Sequence, residues 1–593
     1  MRTLLPSNLA CIFPNALFAL LLAPSSLSGC VQNRDSTNAE PKSAEPKIET
    51  HPKADAAETQ GRPAYGTMGE PQLFEGMGSH TRTVTTKSLE AQAYFDHGLN
   101  WMYAFNHDEA VRAFTRAAEL DPGCAMAWWG IAQAQGPNYN DPAMPEARSA
   151  AAWAALQRAR ATLDDETPVE KALVEALGAR YAEDPPEDRR DLDVAYAEAM
   201  KEVAAKFPDD SDVATFYAES MMVQHPWKLY DADEQPALQD TPIIIATLER
   251  ALAKFPNNPG ANHLYIHAVE PSFDKERGLV AADRLSDMMP ASGHLLHMPS
   301  HIYAQVGMWN RSIEQNQKAM EADDAYRVLS PEQGLQHGYM THNSHMLAFS
   351  AMMTGQEDLA MHAARQMWED MPLETLTLIA PFFDPWMCSV YDVQKRFGRW
   401  DALLAEPAPP AFLPVTTAVW RAHRAVAYAA KHEFEKAEEE QLAFRRAMKA
   451  IPEEPGWDTY GTAVKFLLVS ELFITGEMEL QKGRWDEAAT ALREAVIIED
   501  TLGYGEPPMW LQPVRHTLGA VYLKAEKYED AERVYREDLE KWPGNGWSLY
   551  GLSRALEFQE RMEEAAEVRS AYEKAWAGAK EPIETSCKCI EKT

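Results

Sequence analysis

The sequence predicts an all-α superhelical solenoid of about ten helix pairs. Three observations carry that prediction. First, His263 and His267 are four residues apart, His297 and His301 are four apart, and the second pair follows the first by 34 residues. Second, from Leu89 onward large, small and aromatic residues recur in one order, seen in Tyr94, Gly98, Trp101, Ala110, Phe114, Ala117 and Pro122. Third, no alternating period-two pattern of a strand interrupts these stretches.

A period of 34 is that of the tetratricopeptide helix pair. Small residues let the first helix approach the second, large ones fill the gap, and proline ends the second helix. Ala127-Trp128-Trp129-Gly130 opens the next pair. Residues 143–206 read as further helices with a break at Asp184-Pro185-Pro186-Glu187. Pro208 and Pro256 close helices and set a register with position 1 at Ser211 and Pro259. Later turns fall at Gly307-Met308-Trp309, Gly355, Phe397-Gly398-Arg399-Trp400, Glu433-Phe434 and Lys482-Gly483-Arg484-Trp485. Leu518, Gly519, Tyr522, Tyr528, Ala531, Tyr535 and Pro543 repeat the motif, and Trp547 to Ala565 begins another unit.

The chain divides into residues 1–30, a lipoprotein signal peptide; 31–87, a disordered tether; 88–580, the solenoid; and 581–593, a polar tail with a Cys-x-Cys pair. Arg2, the apolar run Ala16 to Ala23 and Leu27-Ser28-Gly29-Cys30 make an export signal. Small residues before Cys30 resemble a bacterial lipoprotein processing box, which implies Cys30 as the acylated residue. The expected location is the cell envelope, lipid-anchored through Cys30, on the outer membrane facing the periplasm. Residues 31 to about 85 are rich in Pro, Ala, Lys, Glu, Ser and Thr, a composition with too little apolar surface to order itself.

The 593-residue chain carries 90 acidic and 56 basic residues, a net charge of −34. Such a surface repels phosphate backbones, so nucleic acid is excluded as an expected partner. Beyond Cys30 only Cys124, Cys388, Cys587 and Cys589 remain, too few for a disulfide framework.

Eight of the 17 histidines lie between residues 263 and 345: His263, His267, His294, His297, His301, His342 and His345, which carry the pattern, and His337. The register puts His263, His297 and His345 at position 5, His267 and His301 at position 9, Glu270 at position 12, and His342 at position 2. Positions 5, 9 and 12 are four and three apart, hence on one helix face. That face lines the concave groove. Two imidazoles at i, i+4 make a bidentate clip for a transition metal, copper, iron or zinc. His263, His267, His297, His301, His342 and His345 are the expected metal ligands. Glu270 is the expected catalytic proton acceptor or additional ligand. His294 falls at the periphery.

Pro299 sits between His297 and His301, where it removes a backbone hydrogen bond. It either kinks the helix and re-aims the two rings or marks a late helix start after Met298. His225-Pro226-Trp227 offers a ligand or an aromatic lid, with core packing the simpler role for Trp227. Arg515, after the loop Gly505 to Pro513, suits an anion or a salt bridge. Met298, Met340, Met346, Met352 and Met353 cluster near the histidines, as copper sites or cores do. Cys587 and Cys589 suit a soft metal or a strained disulfide. No His-Glu-x-x-His helix, phosphate-binding glycine loop or nucleophile elbow is present.

Tyr103 to Ala110, Ala127 to Ile131, Asn262 to Pro271, His297-Met298-Pro299-Ser300-His301-Ile302-Tyr303 and Pro513 to Gly519 resemble a family of bacterial exported tetratricopeptide-repeat proteins, including a histidine-bearing subgroup. The resemblance implies the fold and ligand binding in the concave groove. Three functions follow: a metal-binding protein and possible metal-dependent oxidoreductase or hydrolase; a metal-free scaffold for a protein or peptide; or metal storage and delivery.

Overall fold

The computed structural model describes residues 64–231, 234–330, 333–452 and 463–590. The signal segment and Cys30 lie outside them. Among the described residues helices follow one another without a β-strand, apart from one bridge between Tyr230 and Pro236. No described helix is long and apolar enough to cross a membrane.

Sequential helices pack as antiparallel neighbours, as the 34-residue pattern requires. Leu89–Tyr103 packs on His107–Leu120, Gln336–Met353 on Glu357–Asp370, and Pro414–Ala430 on Phe434–Met448. Local signals fix their starts. Asn106 accepts from Glu109 N, Asn258 from Ala261 N, and Ser292 from Leu295 N, each satisfying a backbone donor that an N-terminal turn leaves free.

Gly260 fixes the contact between the first repeat and the histidine-bearing one. A Cβ there would lie 2.3 Å from Tyr103 Cδ1, so only glycine admits the Tyr103 ring. Gly307 does the same for closure of the superhelix. It has φ +77°, and a Cβ would meet Pro543 O at 2.6 Å. Beside it Trp309 Nε1 donates to Pro543 O at 2.8 Å, and Trp547 Nε1 donates to Met352 O at 2.7 Å. The last repeats therefore fold back onto the middle ones.

Two terminal segments depart from expectation. Residues 64–87 are not a tether: they form a strap along the first repeats. Tyr65, Phe74, Met77 and Val84 are buried, and Arg82 pairs with Asp210 at 2.8 Å. Four spaced apolar residues anchor a segment whose composition is otherwise that of a linker. At the other end, Ile583, Cys587, Cys589 and Ile590 of the polar tail are buried against the last helices.

Candidate metal centre

The helix Pro259–Val269 presents His263 and His267 on one face, with Glu270 at its C-cap. The next repeat's first helix is broken in two, Gly293–His297 and Pro299–Gln305, and Met298 joins them in helical conformation. Pro299 thus starts the second piece, and His301 N–H reaches only Met298 O, at 3.3 Å. His342 and His345 lie on Gln336–Met353. All seven histidines are buried, with His342 the most exposed at 6%. The imidazoles are thus buried within the array rather than exposed along an open groove.

The histidines form two groups of three. Ligand atoms of His263, His267 and His294 lie within 4.8 Å of one another, as do those of His297, His301 and His342. Both i, i+4 clips hold, the second across the break at Met298, with ring centroids 5.0 Å apart for His263 and His267 and 4.5 Å for His297 and His301. The four do not meet at one point; the first clip takes a third histidine from Gly293–His297 and the second takes one from Gln336–Met353.

Hydrogen bonds on the other ring nitrogen fix the tautomers. His263 Nδ1 donates to Tyr103 O at 2.7 Å, a carbonyl at the C-terminal end of Leu89–Tyr103 that the helix leaves free. His267 Nδ1 donates to Glu270 Oε1 at 2.7 Å and His301 Nδ1 to Glu270 Oε2 at 2.5 Å. His297 Nδ1 faces Asn316 Oδ1 at 2.6 Å, and Asn316 Nδ2 donates to Ser312 O, which makes Oδ1 the acceptor. His263, His267 and His297 therefore turn an Nε2 lone pair inward, whereas His301, protonated on both nitrogens beside Glu270 and Glu506, presents an Nε2–H.

Those inward nitrogens are crowded. His297 Nε2 and His301 Nε2 are 2.5 Å apart, His342 Nε2 is 3.3 Å from His301 Nε2, and His294 Nε2 is 3.1 Å from His263 Nε2. His267 Nε2 is buried without a hydrogen-bond partner. His301, being protonated, can donate to His297 across the shortest of these contacts, and His294, whose Nδ1 has no partner, can donate to His263; a bound cation would take the place of those protons.

Glu270 links the two groups, since one carboxylate accepts from a histidine of each. Burial alone would raise its pKa, but His301 and His267 outweigh that and hold it far below the usual range. Glu506 also contacts His301 Nδ1. Burial and the Glu270 charge push Glu506 up to about 8. For His301, burial is outweighed by Glu506 and Glu270, which push it up to about 10. Burial lowers the pKa of His263, His267, His294, His297 and His342, keeping them neutral. Those five are ready as ligands, while His301 holds a proton where a cation would compete for it.

Aromatic rings wall the site. Phe105 lies 4.4 Å from His263, Trp227 5.3 Å from His267, Tyr339 4.5 Å from His294, and Trp386 5.2 Å from His342. A cavity of about 750 Å³ adjoins them, lined in part by His342, Glu506, Trp227 and Trp386.

Of the sequence candidates, His263, His267, His297, His301, His342 and Glu270 come together here. His345 joins neither trio; its ring packs 5.3 Å from Trp386 and burial lowers its pKa to about 3. His294, expected at the periphery, enters the first trio, with its Nε2 3.1 Å from that of His263. Glu506 had no local signal, since only closure of the superhelix carries its loop to His301. Arg515 takes the salt-bridge role, 2.8 and 2.7 Å from the Asp500 oxygens. The five methionines pack into the apolar cores.

Residues 516–546 match the tetratricopeptide-repeat family model. With the paired helices, that makes the fold a tetratricopeptide-like solenoid. No curated protein matches the chain. Similar solved structures include the APC/C hetero-tetramer Cut9–Hcn1, 14% identical over 81% of this chain and 79% of that one, with a TM-score of 0.30. The human IFIT1 dimer with m7Gppp-AAAA is 13% identical over 83% and 92%, TM-score 0.30. An IFIT1 monomeric mutant with m7Gppp-AAAA is 12% identical over 80% and 95%, TM-score 0.32. At these scores the likenesses carry no argument.

Proposed function

We propose that this chain is a copper-dependent oxidoreductase with a pair of trihistidine sites, His263/His267/His294 and His297/His301/His342, coupled through Glu270. The observation that carries the reading is the convergence of six buried imidazoles in two trios, ligand atoms within 4.8 Å in each, with outer acceptors on Nδ1 of His263, His267, His297 and His301. Neutral imidazoles suit copper, zinc, iron and nickel, whereas hard ions prefer carboxylates, which here sit on the outer nitrogens.

Charge selects among these metals. A buried charge must be compensated. Glu270 is the carboxylate held ionised among these histidines, so two monovalent copper ions leave less unmatched positive charge than two divalent ions would. A copper pair supplies two-electron redox chemistry. Glu270 holds the imidazoles in their ligating tautomers. Glu506 borders both His301 and the cavity, so it is placed to carry a proton between them. The aromatic walls exclude water and leave room for an organic substrate beside His342.

Metal analysis of the purified protein tests this. Two copper ions per chain are expected, with one lost in His263→Ala and the other in His342→Ala. Absence of tightly bound metal, or loss of both ions in either variant, contradicts it. In the same reading, export and acylation at Cys30 place the chain in the cell envelope. Mass spectrometry of the membrane-extracted protein checks this: an N-terminal lipid on Cys30 supports it, and an unmodified Cys30 refutes it.

A further inference from the structure

The C-terminal tail carries a second cluster of donors far along the chain from the histidines. Cys587 and Cys589 are buried at 0% and 7% exposure, and both are free thiols. They meet Glu477 of the helix Ala463–Gln481, with one ligand atom from each residue within 4.8 Å of the others. Cys587 Sγ lies 3.7 Å from Glu477 Oε1, and the other carboxylate oxygen, Oε2, is buried with no partner. The tail is held for this purpose: one helical turn beyond Glu477, Gln481 Nε2 donates to Cys589 O, and Cys589 N–H donates to Cys587 Sγ at 3.3 Å.

We propose that Glu477, Cys587 and Cys589 form a further metal site, for a zinc-class divalent ion, that fastens the tail to the helix Ala463–Gln481. The donor set decides the class of ion. Zinc accepts thiolate sulfur and carboxylate oxygen together in tetrahedral sites, while a carboxylate is a poor partner for monovalent copper. Charge is consistent with this choice. Two thiolates and a carboxylate on a divalent ion leave one negative charge. The Lys395 ammonium, buried without a hydrogen-bond partner, lies within electrostatic reach of Cys589 and Glu477. Asp392, also close to Lys395, is engaged by His423 at 2.7 Å. The Lys395 ammonium sits over the Trp510 ring, 4.0 Å from its centroid. Trp510 also lines the cavity beside the histidines. Lys395 thus lies between the tail site and Trp510, a residue of the loop that carries Glu506. The site stands on its own donors and does not depend on what the histidines bind.

Cobalt(II) titration of the reduced, metal-free full chain tests the proposal, because only a thiolate-bearing site gives sulfur-to-cobalt charge-transfer absorption. One equivalent is expected to develop that band. Cys587→Ser/Cys589→Ser should abolish it, and Glu477→Gln should keep it while weakening binding tenfold or more. Absence of the band in the reduced wild-type chain overturns the proposal. A Cys587–Cys589 disulfide in the protein as isolated, seen as a mass lower by two hydrogens, also overturns it. The histidine variants His263→Ala and His342→Ala should leave the band intact, and its loss in them refutes a separate site.

Discussion

Replacing Glu270 by glutamine perturbs both trihistidine sites through a residue that ligates neither. The carboxylate accepts from His267 at 2.7 Å and from His301 at 2.5 Å, and it is fully buried. Glutamine has one acceptor oxygen, so one histidine keeps a neutral acceptor while the other faces an amide NH₂. That second ring must move its proton to Nε2, where it can no longer bind a metal. The carboxylate would sit about 6 Å from each ion, across the hydrogen bond, the ring and a ligand bond of about 2 Å. At an effective dielectric of about 20 the lost attraction is roughly 3 kcal/mol per charge. Loss of such an outer partner typically costs about 10–100-fold in metal affinity. The expected result is about a tenfold loss at the site that keeps the acceptor and up to about 100-fold at the other. Competition against a copper chelator of known affinity, with the two sites resolved in His263→Ala and His342→Ala backgrounds, measures both. Unchanged affinity at either site refutes the bridging role.

Three further outcomes follow from the same geometry. His345→Ala should leave two metal ions bound, read by metal analysis, because its ring packs on Trp386 outside both trios. Gly260→Ala should destabilise the chain by about 1–3 kcal/mol in thermal or denaturant unfolding, because the new methyl meets the Tyr103 ring. It should also weaken the first trio, whose His263 rests on Tyr103 O. Asp212 gives the pH dependence: burial would raise its pKa, but His80, Arg82 and Tyr103 outweigh this and hold it at about 2. Its folded value is below its unfolded value of about 3.9, so its stabilisation of about 2 kcal/mol is present above pH about 4. That contribution is lost as pH falls toward 2. Asp212→Asn should therefore be less stable at neutral pH and show a flatter acid limb in unfolding scans.

The solenoid was legible because helix pairs bury repeated positions, and the 34-residue spacing of two histidine clips reports that burial directly. The clips were legible for the same reason: four residues return a side chain to the same helix face. What lay beyond reach was set by contacts between distant segments. Glu506 reaches His301 only because Gly307 and Trp309 let the Pro543 segment fold back. His294 meets His263 only across two repeats, and at Pro299, where the register offered two outcomes, the helix takes a restart that still brings His297 and His301 together. Residues 64–87 have the composition of a linker, yet Tyr65, Phe74, Met77 and Val84 find pockets between helices that only the folded array creates.

Anomalous diffraction from crystals of the copper-loaded protein, collected at the copper absorption edge, tests the paired trihistidine centre most directly. The account predicts two peaks, one within about 2.0–2.1 Å of the His263, His267 and His294 nitrogens and one equally near those of His297, His301 and His342. A single peak, a peak on the Glu270 and Glu506 carboxylates, or none at these histidines would contradict it.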